Sequence, residues 1–236
     1  ITKWVRRVND VSRIEDYIDQ AITAACSGRP GPVVLMLPAD VLLESYGSPK
    51  RTEVLGYFPL DRIVAAQERI AQAAELLVNA KNPIVIAGGG VHLSAAHQEL
   101  SELQELCHLP VATTVMGKGS VDEKHPLSVG VMTYFLGPNG SARHQRPLIE
   151  HADVVLLIGT RTNQNGTDSW KLYPKNATFI HLDIDGLEVG RNYEAKRLVG
   201  DAKLTLAALT QAMQARNLAL RESSRVALEN KIANGR

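Results

Sequence analysis

Pro83-Ile84-Val85-Ile86-Ala87-Gly88-Gly89-Gly90 reads as a short, wholly apolar strand that runs straight into three glycines. Three further stretches repeat the pattern. Leu109-Pro110-Val111-Ala112 leads into Thr113-Thr114, Val154-Val155-Leu156-Leu157-Ile158 into Gly159-Thr160-Arg161, and Phe179-Ile180-His181-Leu182 into Asp183-Ile184-Asp185. Short, nearly continuous apolar runs bounded by turn formers are the mark of strands buried on both faces. Helical patterns separate them: Ala95 to Leu106, about Ser141 to His151, a short Leu187 to Asn192 segment, and Asp201 to Gln214. The alternation predicts an α/β domain, a doubly wound, mainly parallel sheet with helices on both faces. In such a sheet the carboxyl ends of the strands gather along one edge, and ligands bind where the strand order reverses.

Working outward, a long amphipathic helix is expected from Asp61, with Ile63, Ala66, Ile70, Ala73 and Leu77 on one face. Upstream, Ile14, Ile18, Ala21 and Ala25 form a helical stripe, with Ser12 as N-cap and Glu15 completing a capping box. Ser27-Gly28-Arg29-Pro30-Gly31-Pro32 stops that helix, and Val33 to Leu37 forms a strand closed by Pro38. One helix and one strand cannot enclose a core, so this region reads as the last unit of a preceding α/β domain. A first residue of Ile rather than Met fits a piece of a longer protein, a processed product or an engineered one. The expected division is 1–42 for the remnant, 43–60 for a linker, 61–215 for the main domain and 216–236 for a polar tail or second linker.

The 236 residues carry a net charge of +1 with 22% charged side chains, so there is no basic excess of the kind that drives nucleic-acid binding. No apolar run is long enough to cross a bilayer, and a soluble, cytoplasmic protein is expected. Cys26 and Cys107 both fall on apolar, helical stretches and read as small buried hydrophobes. No CxxC or HExxH pattern and no His-rich cluster occurs, so no metal site is expected within the chain.

Candidate binding residues stand at the strand ends. Gly88, Gly89 and Gly90 suit either a tight turn or close approach to a phosphate or adenosine, but they do not complete the dinucleotide fingerprint, because its third glycine position is Leu93. Thr113 and Thr114 could bond a diphosphate or satisfy loop backbone. Gly159 and Arg161 could clamp a phosphate, or Arg161 could form a surface ion pair. Asp183 could accept ribose hydroxyls, whereas Asp185 could cap a helix at Leu187 and Asp201 most simply caps the helix that follows it. His108, His125 and His151 show no partners in the sequence, and loop or solvent roles are expected for them. No nucleophile with an adjacent base is visible, so no catalytic residue is assigned.

In order and at compatible spacing, Ile1-Thr2-Lys3, Ser27 to Val33, Asn82 to Gly90, Pro110 to Gly119, His125 to Ser128, Ala152-Asp153, Ile158 to Arg161, His181 to Asp185 and Gly200-Asp201-Ala202 resemble the thiamine diphosphate-dependent enzymes of the acetolactate synthase-like group. The likeness spans roughly Ile1 to Met213. It implies three α/β domains in the parent, of which this chain holds the end of the pyrimidine-binding domain and all of the central one. The catalytic glutamate and the magnesium-diphosphate motif would lie in the two missing domains, so thiamine diphosphate and Mg would be bound by the parent and not by this chain alone. The parent would be a 2-oxo acid carboligase or lyase and a homo-oligomer, dimer or tetramer.

The resemblance also implies FAD, or ADP as in oxalyl-CoA decarboxylase-like members, at Gly88, Gly89, Gly90, Thr113, Thr114, Gly159, Arg161, Asp183 and Asp201. Two positions depart from the flavin pattern. The second arginine is Asn165, which removes a charge-assisted contact worth up to ~3 kcal/mol, and the flavin-contacting GMHG segment is replaced by Val131 to Gly137. A non-catalytic module with a vestigial crevice is the alternative. A free-standing sirtuin-like NAD enzyme is disfavoured by the missing zinc cysteines.

Overall fold

A computed structural model describes residues 1–47, 57–132, 136–137, 139–140 and 142–236. It divides into two compact units, Ile1–Arg62 and Ile63–Arg236. Most of the expected 43–60 linker, residues 48–56, lies outside the described residues.

In the first unit, β1 (Trp4–Arg7) pairs in parallel with β2 (Val33–Met36) across helix α1 (Ile14–Cys26), and a single short turn of helix, α2 (Ala39–Leu42), follows. Strand β1 is invisible in the sequence because Trp-Val-Arg-Arg carries two charges in four residues. The expected capping box does not form. Asp10 is the cap, its Oδ1 accepting the Ser12 amide at 2.8 Å and the Ser12 hydroxyl at 2.7 Å, which draws Ser12 into a 3-10 turn at Val11–Arg13. Only Ala21 of the α1 stripe is buried, while Ile18, Val34 and Met36 stay about 40% or more exposed. Strand β2 is therefore half-covered, not the buried strand its apolar run implied.

The second unit is the sandwich that the apolar runs predict. Six parallel strands stand in the order β5-β4-β3-β6-β7-β8. They are β3 (Pro83–Ala87), β4 (Val111–Thr113), β5 (Ser128–Val131), β6 (Val154–Ile158), β7 (Thr178–Asp183) and β8 (Ala195–Val199). Counted along this unit the order is 3-2-1-4-5-6, with the reversal between β3 and β6. Alternation splits each strand between two cores. Val85, Ala87, Leu156, Ile158, Ile180 and Leu182 face α3 (Gln67–Asn79), α5 (His97–Leu106) and α7 (Ala202–Gln214). Ile84, Ile86, Val155, Leu157 and Phe179 pack with Ile149, Leu172, Tyr173 and Ile232 on the other side.

Strands β5 and β8 were not apparent from sequence, and both are edge strands. The exposed Lys196 and Arg197 of β8 are what an open edge tolerates, whereas β5, Ser-Val-Gly-Val, is buried to half-buried and is too short and glycine-interrupted to stand out. The helix expected from Asp61 starts six residues later. The Ile63 carbonyl accepts the Asp201 amide at 2.7 Å and the Ala65 amide donates to Thr205 Oγ1 at 3.2 Å, so residues 63–65 are tied to the start of α7 and stay out of the helix. Ile63 is consequently exposed, while Ile70, Ala73 and Leu77 are buried as the stripe requires. The helix expected over Ala95–Leu106 is α5, which begins at His97; a separate short turn of helix, α4 (Gly90–Leu93), precedes it, and Ala95, with φ +50°, turns the chain between them. The Ser141–His151 region reduces to a 3-10 turn, Arg143–Gln145, and α6 (Arg146–Glu150).

The largest departure is the tail. Residues 216–236, read as a polar linker or frayed end, contain α8 (Ala219–Asn234), with Arg221 and Ile232 almost fully buried. The amphipathic stripe is too sparse to notice because one of its buried residues is an arginine. Arg221 Nη2 donates to the Ala80 carbonyl, and Gln145 Nε2 donates to the Ile232 carbonyl at 2.7 Å. Arg225 grips Glu105 through a two-pronged fork, 2.9 and 2.8 Å, and also reaches Glu229 and His108 Nδ1. His125 Nδ1 accepts the Leu127 amide, so its Nε2 donates to Glu105 Oε2 at 2.9 Å. His108 and His125 thus have partners that sequence reasoning did not see. The hydrogen bonds from Arg225 and then His125 hold the Glu105 carboxyl down at about 2. Cys107 is buried at the end of α5, where burial pushes its thiol up to about 12 and leaves it inert, while Cys26 is half-buried at the end of α1.

Candidate functional site

The carboxyl edge of the six-stranded sheet is closed by a lateral chain of backbone hydrogen bonds. The Thr114 amide donates to Ala87 O, Gly88 to Ile158 O and Gly159 to Leu182 O, each at 2.8 Å, and Gly200 donates to Asp183 O at 3.0 Å. Each strand therefore passes its next residue to its neighbour.

At the switch point the glycines let main chains touch. A Cβ on Gly88 would lie 2.4 Å from Gly159 O, one on Gly90 2.6 Å from Gly159 Cα, and one on Gly117 2.1 Å from Ala87 O. Gly159 itself has φ +55°. The Gly90 amide donates to Gly159 O at 3.0 Å. Gly88, Gly90 and Gly159 are thus accounted for by a tight backbone crossing, which for Gly88 and Gly90 is one of the two readings left open by their sequence. Gly117, within the Pro110–Gly119 stretch and not among the candidate binding residues, is buried and belongs to the same crossing. Gly89 is looser, its would-be Cβ 3.2 Å from Met116 Cβ.

The other candidates divide between internal and available groups. Thr114 Oγ1 accepts the Gly117 amide at 3.1 Å and caps the 3-10 turn Val115–Gly117. Asp201 is buried and caps α7, accepting the Leu204 amide at 3.2 Å. Asp183 Oδ1 accepts the Asp185 amide and Asp185 Oδ1 the Leu187 amide, both at 2.9 Å. These successive side-chain turns replace the short helix expected at Leu187–Asn192, which is a series of turns. Thr113 is different: its side chain is buried and its Oγ1 has no hydrogen-bond partner. The Arg161 guanidinium is exposed, and no described residue pairs with it.

Two residues absent from the candidate set organise the Arg161 region. Asn192 Nδ2 reaches the carbonyls of Arg161 and Thr162 at 3.2 and 3.0 Å and Thr162 Oγ1 at 2.9 Å. Its place in a polar loop gave no periodic signal by which to single it out. His181 bridges β6 to the 186–190 turn. Its Nδ1 accepts the Gly190 amide at 3.2 Å, which puts the proton on Nε2, donated to Thr160 O at 3.0 Å. Asn165 is exposed at the start of a 3-10 turn, Asn165–Thr167.

Burial pushes the His181 imidazole down to about 4, outweighing its bond to Thr160. The unfolded chain takes up this proton below about 6.5, whereas the folded chain does so only near 4. Stability is thus complete above pH 6.5 and falls as the pH drops towards 4, by on the order of 3 kcal/mol. Urea unfolding at a series of pH values should show this slope, and His181→Gln should flatten it. Identical slopes in the two proteins would contradict the assignment.

Residues 70–209 match the family model described as "Thiamine pyrophosphate enzyme, central domain". The chain belongs to this family. Among curated relatives of this thiamine pyrophosphate enzyme domain, a "Probable acetolactate synthase large subunit" of Methanococcus aeolicus is 38% identical over 212 residues, covering 87% of this chain and 34% of that protein. An "Acetolactate synthase" of Arthrospira platensis is 35% identical over 219 residues, covering 89% and 37%. The chain thus spans about a third of the length of these relatives. Benzoylformate decarboxylase from Polynucleobacter necessarius superposes with a TM-score of 0.75 at 20% identity, over 92% of this chain and 39% of that one, a likeness of fold. No described helix is long and apolar enough to cross a membrane, and the described residues hold no group of three or more His, Cys, Asp or Glu placed to bind a metal ion.

Proposed function

We propose that this chain is the central part of a thiamine diphosphate-dependent 2-oxo acid carboligase or lyase of the acetolactate synthase type. In this reading residues 1–42 end the pyrimidine-binding domain, 43–60 link the two, 61–215 are the central domain, and 216–236, α8 included, lead towards the diphosphate-binding domain. The parent is a cytoplasmic homo-oligomer. Thiamine diphosphate with Mg would supply the carbanion chemistry from the other two domains, and this chain would contribute packing surface and a nucleotide-type crevice.

The observation that supports a working crevice is the pair of unused polar groups at the sheet edge. Thr113 offers a buried hydroxyl with no partner and Arg161 an unpaired guanidinium. A buried orphan hydroxyl is costly, and a diphosphate oxygen would relieve it. The residues therefore fit the diphosphate of FAD or ADP at these two points, while Asp201, Thr114 and three of the glycines are engaged in holding the fold. Titration calorimetry with FAD and with ADP tests the reading. Binding of either, weakened about tenfold or more by Arg161→Ala, is the expected result.

The second reading, a structural module with a vestigial crevice, is favoured by the internal duties of those residues and by Asn165 in place of an arginine. Failure of both nucleotides to bind would select it.

A further inference from the structure

The two histidines of the α4–α5 corner, neither of them among the candidate nucleotide contacts, carry a separate inference. His92 Nδ1 and His97 Nε2 stand 2.9 Å apart, with ring centroids 5.0 Å apart and ring planes at 50°. His92 Nε2 lies 3.1 Å from the Lys118 carbonyl, which only accepts, so this nitrogen carries the proton and Nδ1 presents a lone pair to His97. A ring nitrogen fixed by a backbone carbonyl while the other faces a partner is the arrangement that orients metal-binding imidazoles.

The corner that sets this distance is firm. Ala96 is fully buried, its amide donates to Val91 O at 2.9 Å, and Ala95 turns the chain with φ +50°. Both rings are exposed, so an ion can enter without disturbing the core. Two nitrogens bound at about 2.0–2.1 Å and at right angles are themselves about 2.9 Å apart, the separation observed.

We propose that His92 and His97 form a two-imidazole site for a divalent transition-metal ion. The ion sits to one side of the line between the two nitrogens, which turn their lone pairs towards it; the proton shared along that line moves from His97 Nε2 to His97 Nδ1, and water fills the remaining positions. A site of neutral nitrogens with open water positions suits Cu2+ and Ni2+ and discriminates against Mg2+ and Ca2+. The site departs from the sequence expectation of no metal because its ligands are five residues apart across a turn, a spacing that matches no motif.

Calorimetric titration with Ni2+ tests the proposal in the wild-type chain and in His92→Gln, His97→Gln and His151→Gln. Each of the first two should weaken the site about tenfold or more, with circular dichroism unchanged, and the third should not. Paramagnetic broadening by Ni2+ should strike the His92 and His97 ring protons first, a reading in the wild-type protein that needs no variant. Equal affinity in all four proteins, broadening centred on other histidines, or no Ni2+ binding to the wild type would each overturn it.

Discussion

Replacing Gly159 with alanine should destabilise the sheet unit by at least about 4 kcal/mol, measured without any added nucleotide so that the defect belongs to the fold. Two costs combine. A left-handed backbone at φ +55° costs a residue with a Cβ about 1–2 kcal/mol. The added carbon would then lie 2.6 Å from Gly90 Cα and 3.0 Å from Gly90 N, with only main chain in the way. No rotamer change relieves such a contact. The β3–α4 junction must move, and the 3.0 Å bond from the Gly90 amide to Gly159 O goes with it.

Gly119→Ala is the matched control. Its φ is +82°, but nothing lies within 4 Å of its would-be Cβ, so it should lose only about 1 kcal/mol. Urea unfolding followed by circular dichroism separates the two. Equal midpoints for Gly159→Ala and Gly119→Ala would mean that the crossing is not close-packed.

The second large effect is expected at Arg221. Its side chain is almost fully buried, Nη2 donates to Ala80 O, and Nε has no partner. Burial lowers its pKa, and Asp153, which itself receives the Lys81 and Asn82 amides at 2.6 and 2.9 Å, opposes that shift. Arg221→Ala removes a long packed stem and strands the Ala80 carbonyl, and should cost about 4 kcal/mol. Arg221→Met keeps most of the volume and removes a charge whose desolvation was poorly repaid, so its cost should be no more than about half as large. Hydrogen exchange would show the α8 amides losing protection in the alanine variant. If alanine and methionine prove equally stable, the arginine stem contributes nothing to holding α8.

The strand-helix alternation was legible because β3 and β6 are apolar at nearly every position, and their bounds coincide with the apolar runs at Pro83–Ala87 and Val154–Ile158. What stayed hidden was held by features with no periodicity. Strands β1 and β8 carry charges at positions that little covers, and β5 is a four-residue run broken by Gly130. Helix α8 hides because an arginine stands where an apolar residue is expected. The start of α3 was misplaced because tertiary bonds from Asp201 and Thr205 outweigh local helix preference in residues 63–65.

At the site, residue types could nominate the glycines, threonines and aspartates but could not tell backbone duty from ligand duty. Asp201 and Thr114 are caps, whereas Thr113, the adjacent residue of the same type, is the one left without a partner.

The lateral hydrogen bonds from Thr114 to Ala87, Gly88 to Ile158, Gly159 to Leu182 and Gly200 to Asp183 also constrain how this sequence can change in length. Inserting or deleting one residue between a strand and its closing amide would displace that amide from its acceptor and misalign the next strand end in turn. Length variation among homologous chains should therefore collect in the stretches between these junctions, such as 163–176, while the strand-to-junction spacing stays fixed. The edge works as a ruler for the fold, whatever ligand lies along it.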